Sequence, residues 1–275
     1  MSTTTTTTRS QGFQPTTYIR DSLLLAGRSL RGIPRVPERI LDVTIQPIIF
    51  ILLFRYVFGS AIHVANVSDY ADYLVPGIIG QGIAFGIMST GTSTSHDMKE
   101  GVLDRFRSMP VSRLAIVTGQ VLGQYCEQLL GLAVYVVLGL IVGWSPTFSF
   151  GQAIELLGLV MLAMFAFTWV GAYVGMVVRS PDAVQGVGFI VIFPLSFVAG
   201  TFVPIGGMGA VLSTIGQWDP ISALVAAVRK LSSGYQSHGS WLLDHSVLAM
   251  VIWSVLMLVI FVPLAVRRLS STLAA

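Results

Sequence analysis

The sequence predicts an all-α polytopic membrane protein. Six transmembrane helices are joined by an N-terminal amphipathic interfacial helix, a charged cytoplasmic helix and short outer re-entrant helices. Three observations lead there. Hydrophobic residues make up 53% of the chain and charged residues only 11%, too few charges to cover a soluble domain of 275 residues. The apolar residues gather in runs of about twenty, the length that crosses a bilayer as a helix. Basic residues sit at alternate ends of those runs, as in a multi-pass protein.

In chain order, residues 1–17 form a threonine-rich, low-complexity tail, expected to be disordered. No apolar core follows it at the distance a cleavable signal peptide requires. Residues 18–275 then read as one transmembrane domain. Ile19, Leu23, Ala26, Leu30 and Ile33 repeat at helical spacing, with Arg20, Arg28 and Arg31 on the flank of the stripe. That pattern suits a helix lying in the interface, ended near Pro34 and Pro37; on periodicity alone, a helix buried against its own spans fits equally. The spans are expected at about Ile40–Phe58, Tyr73–Ser95, Leu114–Val142, Ala153–Val178, Val184–Val203 and Ser246–Val266.

Arginines 9, 20, 28, 31, 35 and 39 precede the first span. Lys99, Arg105, Arg107 and Arg113 lie between the second and third, Arg179 between the fourth and fifth, and Arg267 and Arg268 after the sixth. Only Arg55, Arg229 and Lys230 fall at or beyond the opposite face. The asymmetry places both termini in the cytoplasm. Between Pro204 and Asp244 the pieces Ala210–Ile215 and Ile221–Leu231 are too short to cross, so they are expected to be re-entrant or interfacial on the outer side.

The segment Asp97–Val111 is cytoplasmic on this topology. Val102, Leu103 and Phe106 fall at helical spacing among Lys99, Glu100, Asp104, Arg105 and Arg107; Gly101 lets the chain turn in and Pro110 ends the helix. It is a surface offered to a soluble partner, or else a solvated connector.

Catalytic machinery is absent from the sequence. There is no Gly-Lys pair and hence no G-x-x-x-x-G-K-[ST] phosphate loop, no His-Glu-x-x-His and no Gly-x-Ser-x-Gly. The four histidines have no ligand spacing, so no metal site is expected, and the single Cys126 excludes an intramolecular disulfide. A net charge of +3 is too small to point to nucleic acid. Gly82 with Gly86, and Gly171 with Gly175, have the small-xxx-small spacing of close helix contacts. One polar constellation stands out: Gln120, Gln124, Glu127 and Gln128, continued by Gly131, share one face of the third span. Two readings fit: a polar wall of a substrate path, or a set of interhelical hydrogen bonds.

The run from Lys99-Glu100-Gly101-Val102-Leu103 through Asp104-Arg105-Phe106-Arg107-Ser108 to Met109-Pro110-Val111-Ser112-Arg113 resembles the cytoplasmic signature of type-2 ABC exporter permeases, especially the daunorubicin-resistance branch from actinobacteria. Arg179-Ser180-Pro181-Asp182-Ala183, the stretch Ala199-Gly200-Thr201-Phe202-Val203-Pro204, and Asp219-Pro220-Ile221-Ser222-Ala223-Leu224-Val225-Ala226-Ala227-Val228-Arg229 carry the same resemblance, which spans nearly the whole chain. Met109 stands where many members have threonine before the proline. The resemblance implies a non-catalytic permease half that pairs with a second half and a cytoplasmic ABC ATPase dimer. The chain itself would bind no cofactor; ATP and Mg would sit on the partner. Lys99, Glu100, Gly101, Val102, Leu103, Arg105, Phe106, Met109 and Pro110 would form the ATPase-coupling helix, Ile19–Ile33 the connecting helix beside it, and spans two and five would flank the path. The implied cargo is a drug, lipid or glycolipid exported across the plasma membrane. A polysaccharide exporter and, further off, an ATP-independent secondary transporter are the alternatives.

Overall fold

The computed structural model describes residues 37–59, 69–100, 113–178, 180–236 and 240–274, and among them every regular element is helical. The interfacial helix expected at Ile19–Ile33 and the segment 101–112 lie outside the described residues. The helices are α1 (Pro37–Leu52), which continues as a π-helix over Leu53–Phe58, α2 (Tyr70–Lys99), α3 (Arg113–Val142), α4 (Phe150–Val177), α5 (Pro181–Val198), α6 (Ala210–Trp218), α7 (Pro220–Ser233), the single turn α8 (Trp241–Asp244) and α9 (Ser246–Ala274).

Five of these, α2, α3, α4, α5 and α9, are long and apolar enough to cross a membrane. They are the second to sixth expected spans, each within a few residues at its start. The helix over the first expected span begins earlier, at Pro37. The two short pieces expected on the outer side are α6 and α7, bent by 74° at Asp219. The bend has a local cause. Pro220 opens α7 and disfavours helical backbone at Asp219, whose carboxylate caps α7 by accepting from the Ser222 N–H at 3.2 Å.

One expected boundary is corrected. Span five was expected to run to Val203, but α5 ends at Val198. Gly200 takes a left-handed φ of +74° and turns the chain back, so Thr201 and Phe202 fold under the helix end instead of prolonging it. At its other end Ser180 caps α5 by accepting from the Ala183 N–H, with Pro181 as the first helical residue.

The central element is α2. It is the least apolar of the five long helices and the most buried, whereas α9, the most apolar, is far less buried. That inversion follows from the solvent: lipid receives apolar side chains as readily as protein does, so the interior is where small and polar residues collect. Both glycine pairs read from the sequence lie at close approaches. A Cβ on Gly171 would stand 2.5 Å from the Ile87 carbonyl oxygen, and one on Gly175 would stand 2.3 Å from that of Gly91, so α2 and α4 cross backbone on backbone. Gly82 and Gly86 accommodate Tyr135 and Gln128 of α3.

At the α6–α7 end a clasp joins α2, α5 and α7. Arg229 of α7 is 2% exposed. Its Nε donates to the Tyr73 carbonyl at 2.9 Å, its Nη2 to the Thr201 carbonyl at 2.8 Å, and its guanidinium lies 3.4 Å from the centre of the Tyr73 ring. The Tyr73 hydroxyl donates to the Gly200 carbonyl at 2.8 Å, and that of Tyr70 to the Phe202 carbonyl at 3.0 Å. At the same end Arg55 pairs with Asp69 through both carboxylate oxygens, one at 2.7 Å, and this bond holds the Asp69 carboxyl below the ordinary carboxylate range.

The clasp requires glycine at position 77, where a Cβ would stand 2.3 Å from the Thr201 oxygen and 2.9 Å from Arg229 Nη2. Gly77→Ala is expected to lower the thermal midpoint of the detergent-solubilised protein, at an overpacking cost of about 1–3 kcal/mol. Gly158→Ala, on a helix with nothing within 4 Å of the added carbon, should leave the midpoint unchanged or raise it. Tryptophan fluorescence through a thermal ramp reads both.

Candidate functional site

A cavity of about 1020 Å³ lies between α1, α2, α3 and α5. Its walls divide by chemistry. Toward the Lys99 end, α2 contributes Ser89, Thr92, Ser93, His96 and Asp97, while α3 contributes Gln124, Glu127 and Gln128. Toward the clasp end the lining turns apolar and aromatic, with Phe50 of α1, Tyr135 of α3 and Phe193 of α5. Among the described residues, no lysine or arginine lines it. The cavity is therefore amphipathic, with hydrogen-bonding groups and two carboxylates at one end and aromatic rings at the other, the form of a site that orients a ligand having one polar and one apolar part.

The polar wall is built by pairing. Successive glutamines of α3 meet hydroxyl and carboxylate groups of antiparallel α2 in three rungs. Gln120 Nε2 donates to Asp97 Oδ2 at 2.7 Å, Gln124 Nε2 to Ser93 Oγ at 2.9 Å, and Gln128 Nε2 to Thr90 Oγ1 at 3.0 Å. Gln128 also reaches Thr168 of α4 at 3.2 Å. The four-residue spacing of the glutamines, about one helical turn, is what lets one face of α3 supply every rung. Gln128 Oε1 is left buried without a partner, a feature that favours a ligand donor nearby.

The two readings of the α3 glutamines thus describe different atoms of one arrangement. Their Nε2 groups bind α2 together with α3, while Gln124, Glu127 and Gln128 also form cavity wall. Gln120 lies beyond the cavity lining, at the Asp97 rung. Sequence reasoning passed over His96, which lines the cavity beside Asp97; only its place one turn after Ser93 and next to Asp97 could have signalled that. Lys99 and Glu100 are exposed at the end of α2, with Glu100 3.4 Å from His96. From Gly101 to Pro110 the expected coupling residues lie outside the described residues, as do Ile19, Leu23, Arg28, Leu30 and Arg31. Among the described residues no group of three or more His, Cys, Asp or Glu side chains could hold a metal ion.

Comparison with known proteins gives one consistent result. The model of the ABC-2 type transporter family matches residues 21–232. Over 225 residues the chain is 30% identical to the daunorubicin resistance ABC transporter permease protein DrrB1 of Streptomyces coeruleorubidus, covering 82% of this chain and 78% of that one. It is 21% identical to the putative transport permease ycf38 of Cyanophora paradoxa, over 86% of this chain and 81% of the relative. A doxorubicin resistance ABC transporter permease protein, DrrB of Mycobacterium tuberculosis, is 28% identical over half of each chain.

The rungs make a directional prediction. Single cysteines placed at Gln124 and Gln128, in a Cys126→Ser background, should react poorly with a lipid-phase thiol probe. Cysteines at Val137 and Leu140, both more than half exposed on the same helix, should react readily. Equal labelling at all four sites would contradict the placement of this face.

Proposed function

The chain belongs to the ABC-2 type transporter family, and on that footing we propose that it is the permease half of an ATP-driven exporter of a hydrophobic or amphipathic compound. The observation that carries the reading is the cavity between α1, α2, α3 and α5, polar at one end and aromatic at the other. A compound with a polar head and an apolar body satisfies both ends at once, since its head keeps hydrogen bonds while its body is removed from water. The names of the relatives from Streptomyces and Mycobacterium, which speak of daunorubicin and doxorubicin resistance, support the same class of cargo.

In this proposal α1 is the first of six spans, both termini face the cytoplasm, and α6 and α7 form an outer re-entrant pair in the plasma membrane. Ile19–Ile33 lies on the cytoplasmic interface, in contact with membrane lipid. A second permease half, the same chain or a related one, completes the transport unit, and a cytoplasmic ABC ATPase dimer holds ATP and Mg. The chain performs no hydrolysis of its own, in keeping with the missing phosphate loop. Energy enters through the segment from Lys99 to Pro110, in which Val102, Leu103 and Phe106 seat in a groove of the ATPase. That segment follows α2 and precedes α3, the two helices joined by the glutamine rungs. A helix pair bonded at three levels moves as a unit, so a push delivered to the segment displaces the polar wall of the cavity as a whole.

Phe106→Asp tests this. Burying a phenylalanine side chain at such a contact is worth about 2–3 kcal/mol, roughly a hundredfold in binding. The variant should insert in the membrane normally, lose co-purification of the ATPase subunit and lose export. Normal ATPase recovery with normal export would remove the coupling assignment.

A further inference from the structure

Three successive carbonyls after α5, those of Gly200, Thr201 and Phe202, each accept from a side chain of another helix. The donors are the Tyr73 hydroxyl at 2.8 Å, Arg229 Nη2 at 2.8 Å and the Tyr70 hydroxyl at 3.0 Å. Among the described residues no backbone N–H bonds any of the three. Residues 199–203 are thus a strap whose carbonyls are tied to α2 and α7 by side chains alone. The strap lies past the aromatic end of the cavity. There Gln81 of α2 donates to Ser196 of α5 at 3.1 Å, and one turn further along α2 comes Gly77, against the Thr201 carbonyl. Ala199, Thr201 and Phe202 are buried, so the strap fills the way out between α2 and α5.

Two features make this strap releasable. Arg229 is buried without a counter-charge: among the described residues no carboxylate lies within ion-pair distance of it. At the same end Arg55 shows the alternative, a guanidinium fixed by both oxygens of Asp69. Carbonyls return only part of the hydration that a lone buried charge gives up. The tied arrangement and one in which water reaches Arg229 therefore lie close in free energy, and packed contacts of that kind switch between discrete states. Glycines also flank the strap. Gly200 makes the turn at its α5 end with a φ of +74°, and Gly206, Gly207 and Gly209 beyond its other end have nothing within 4 Å of an added Cβ.

We propose that residues 199–203 are the exit gate of the permease and that Arg229 is its bolt. When the cavity discharges toward the outer side, Arg229 Nη2 gives up the Thr201 carbonyl while Nε keeps that of Tyr73, so the guanidinium stays with α2. Water takes the freed places on the strap carbonyls and on the hydroxyls of Tyr70 and Tyr73, and the strap swings aside on its glycines. The inference rests on the reading of the chain as an ATP-driven export permease, and adds where the outer seal lies and which side chain holds it.

The test uses the full chain with its ATPase subunit in lipid nanodiscs, carrying Thr201→Cys in a Cys126→Ser background. The Thr201 hydroxyl has no partner, so this cysteine leaves the ties of the strap in place. A membrane-impermeant maleimide should label it slowly without nucleotide and about tenfold faster with Mg-ATP and vanadate, as a shift of population toward an open state requires. Gly206→Cys, at an exposed position, should label at the same rate in both conditions. Tyr70→Phe removes one tie and keeps the ring, and should raise the nucleotide-free rate about two- to tenfold, the worth of one hydrogen bond. Arg229→Lys, which lacks the guanidinium fork, should raise it at least as much. Equal rates at Thr201→Cys with and without Mg-ATP and vanadate, whether slow or fast, would overturn the gate and leave the export reading standing. An unchanged nucleotide-free rate in Tyr70→Phe would do the same. A chain that recovers no ATPase subunit would overturn both.

Discussion

A buried guanidinium sets the geometry of one end of this protein. Taking a charge out of water costs several kcal/mol unless its hydrogen bonds are replaced, and Arg229 replaces them with two backbone carbonyls and the face of Tyr73. Each partner imposes a condition on a different helix. The Thr201 carbonyl is available only because α5 stops at Val198 and the chain reverses at Gly200. The Tyr73 carbonyl and ring are reachable only because Gly77, one turn along α2, has no side chain. Arg229 itself is presented by α7, which takes its direction from the bend at Asp219. The ends of α2, α5 and α7 are thereby fixed relative to one another.

With that end fixed, the cavity takes its character from what α2 can bring to it. Close to the clasp, α2 is pressed against α5 and α7 through Gly77 and Gly80, and no space remains. Further along, α4 crosses it closely at Gly171 and Gly175, its apolar residues give way to Ser89, Thr90, Thr92, Ser93 and Asp97, and the glutamines of α3 meet them. One helix thus runs from a sealed end at the clasp to the polar end of the cavity.

The legible part of this structure is what periodicity and run length encode. The five long spans follow from apolar runs, and the shared face of Gln120, Gln124, Glu127 and Gln128 follows from their spacing. The glycine pairs at 82/86 and 171/175 likewise lie where backbones approach. What escaped the sequence depends on partners distant along the chain. Arg229 read as a basic residue beyond the outer end of a span, because nothing near it in sequence reveals the carbonyls of Tyr73 and Thr201, 156 and 28 residues away. The end of α5 was missed because Ala199-Gly200-Thr201-Phe202-Val203 is apolar enough to continue a span, and a left-handed glycine leaves no trace in hydropathy.

The proposed function requires that the cavity, closed at the clasp by Arg229 and the Gly77–Thr201 approach, be reached from the Lys99 end, the cytoplasmic end in the proposed orientation. The direct measurement is one cysteine at Ser89, an exposed position of the cavity wall, in a Cys126→Ser background. A membrane-impermeant maleimide is applied to energy-depleted intact cells and to inside-out vesicles without added ATP. The account predicts labelling in the vesicles and protection in the cells. Labelling in intact cells with protection in vesicles would contradict it.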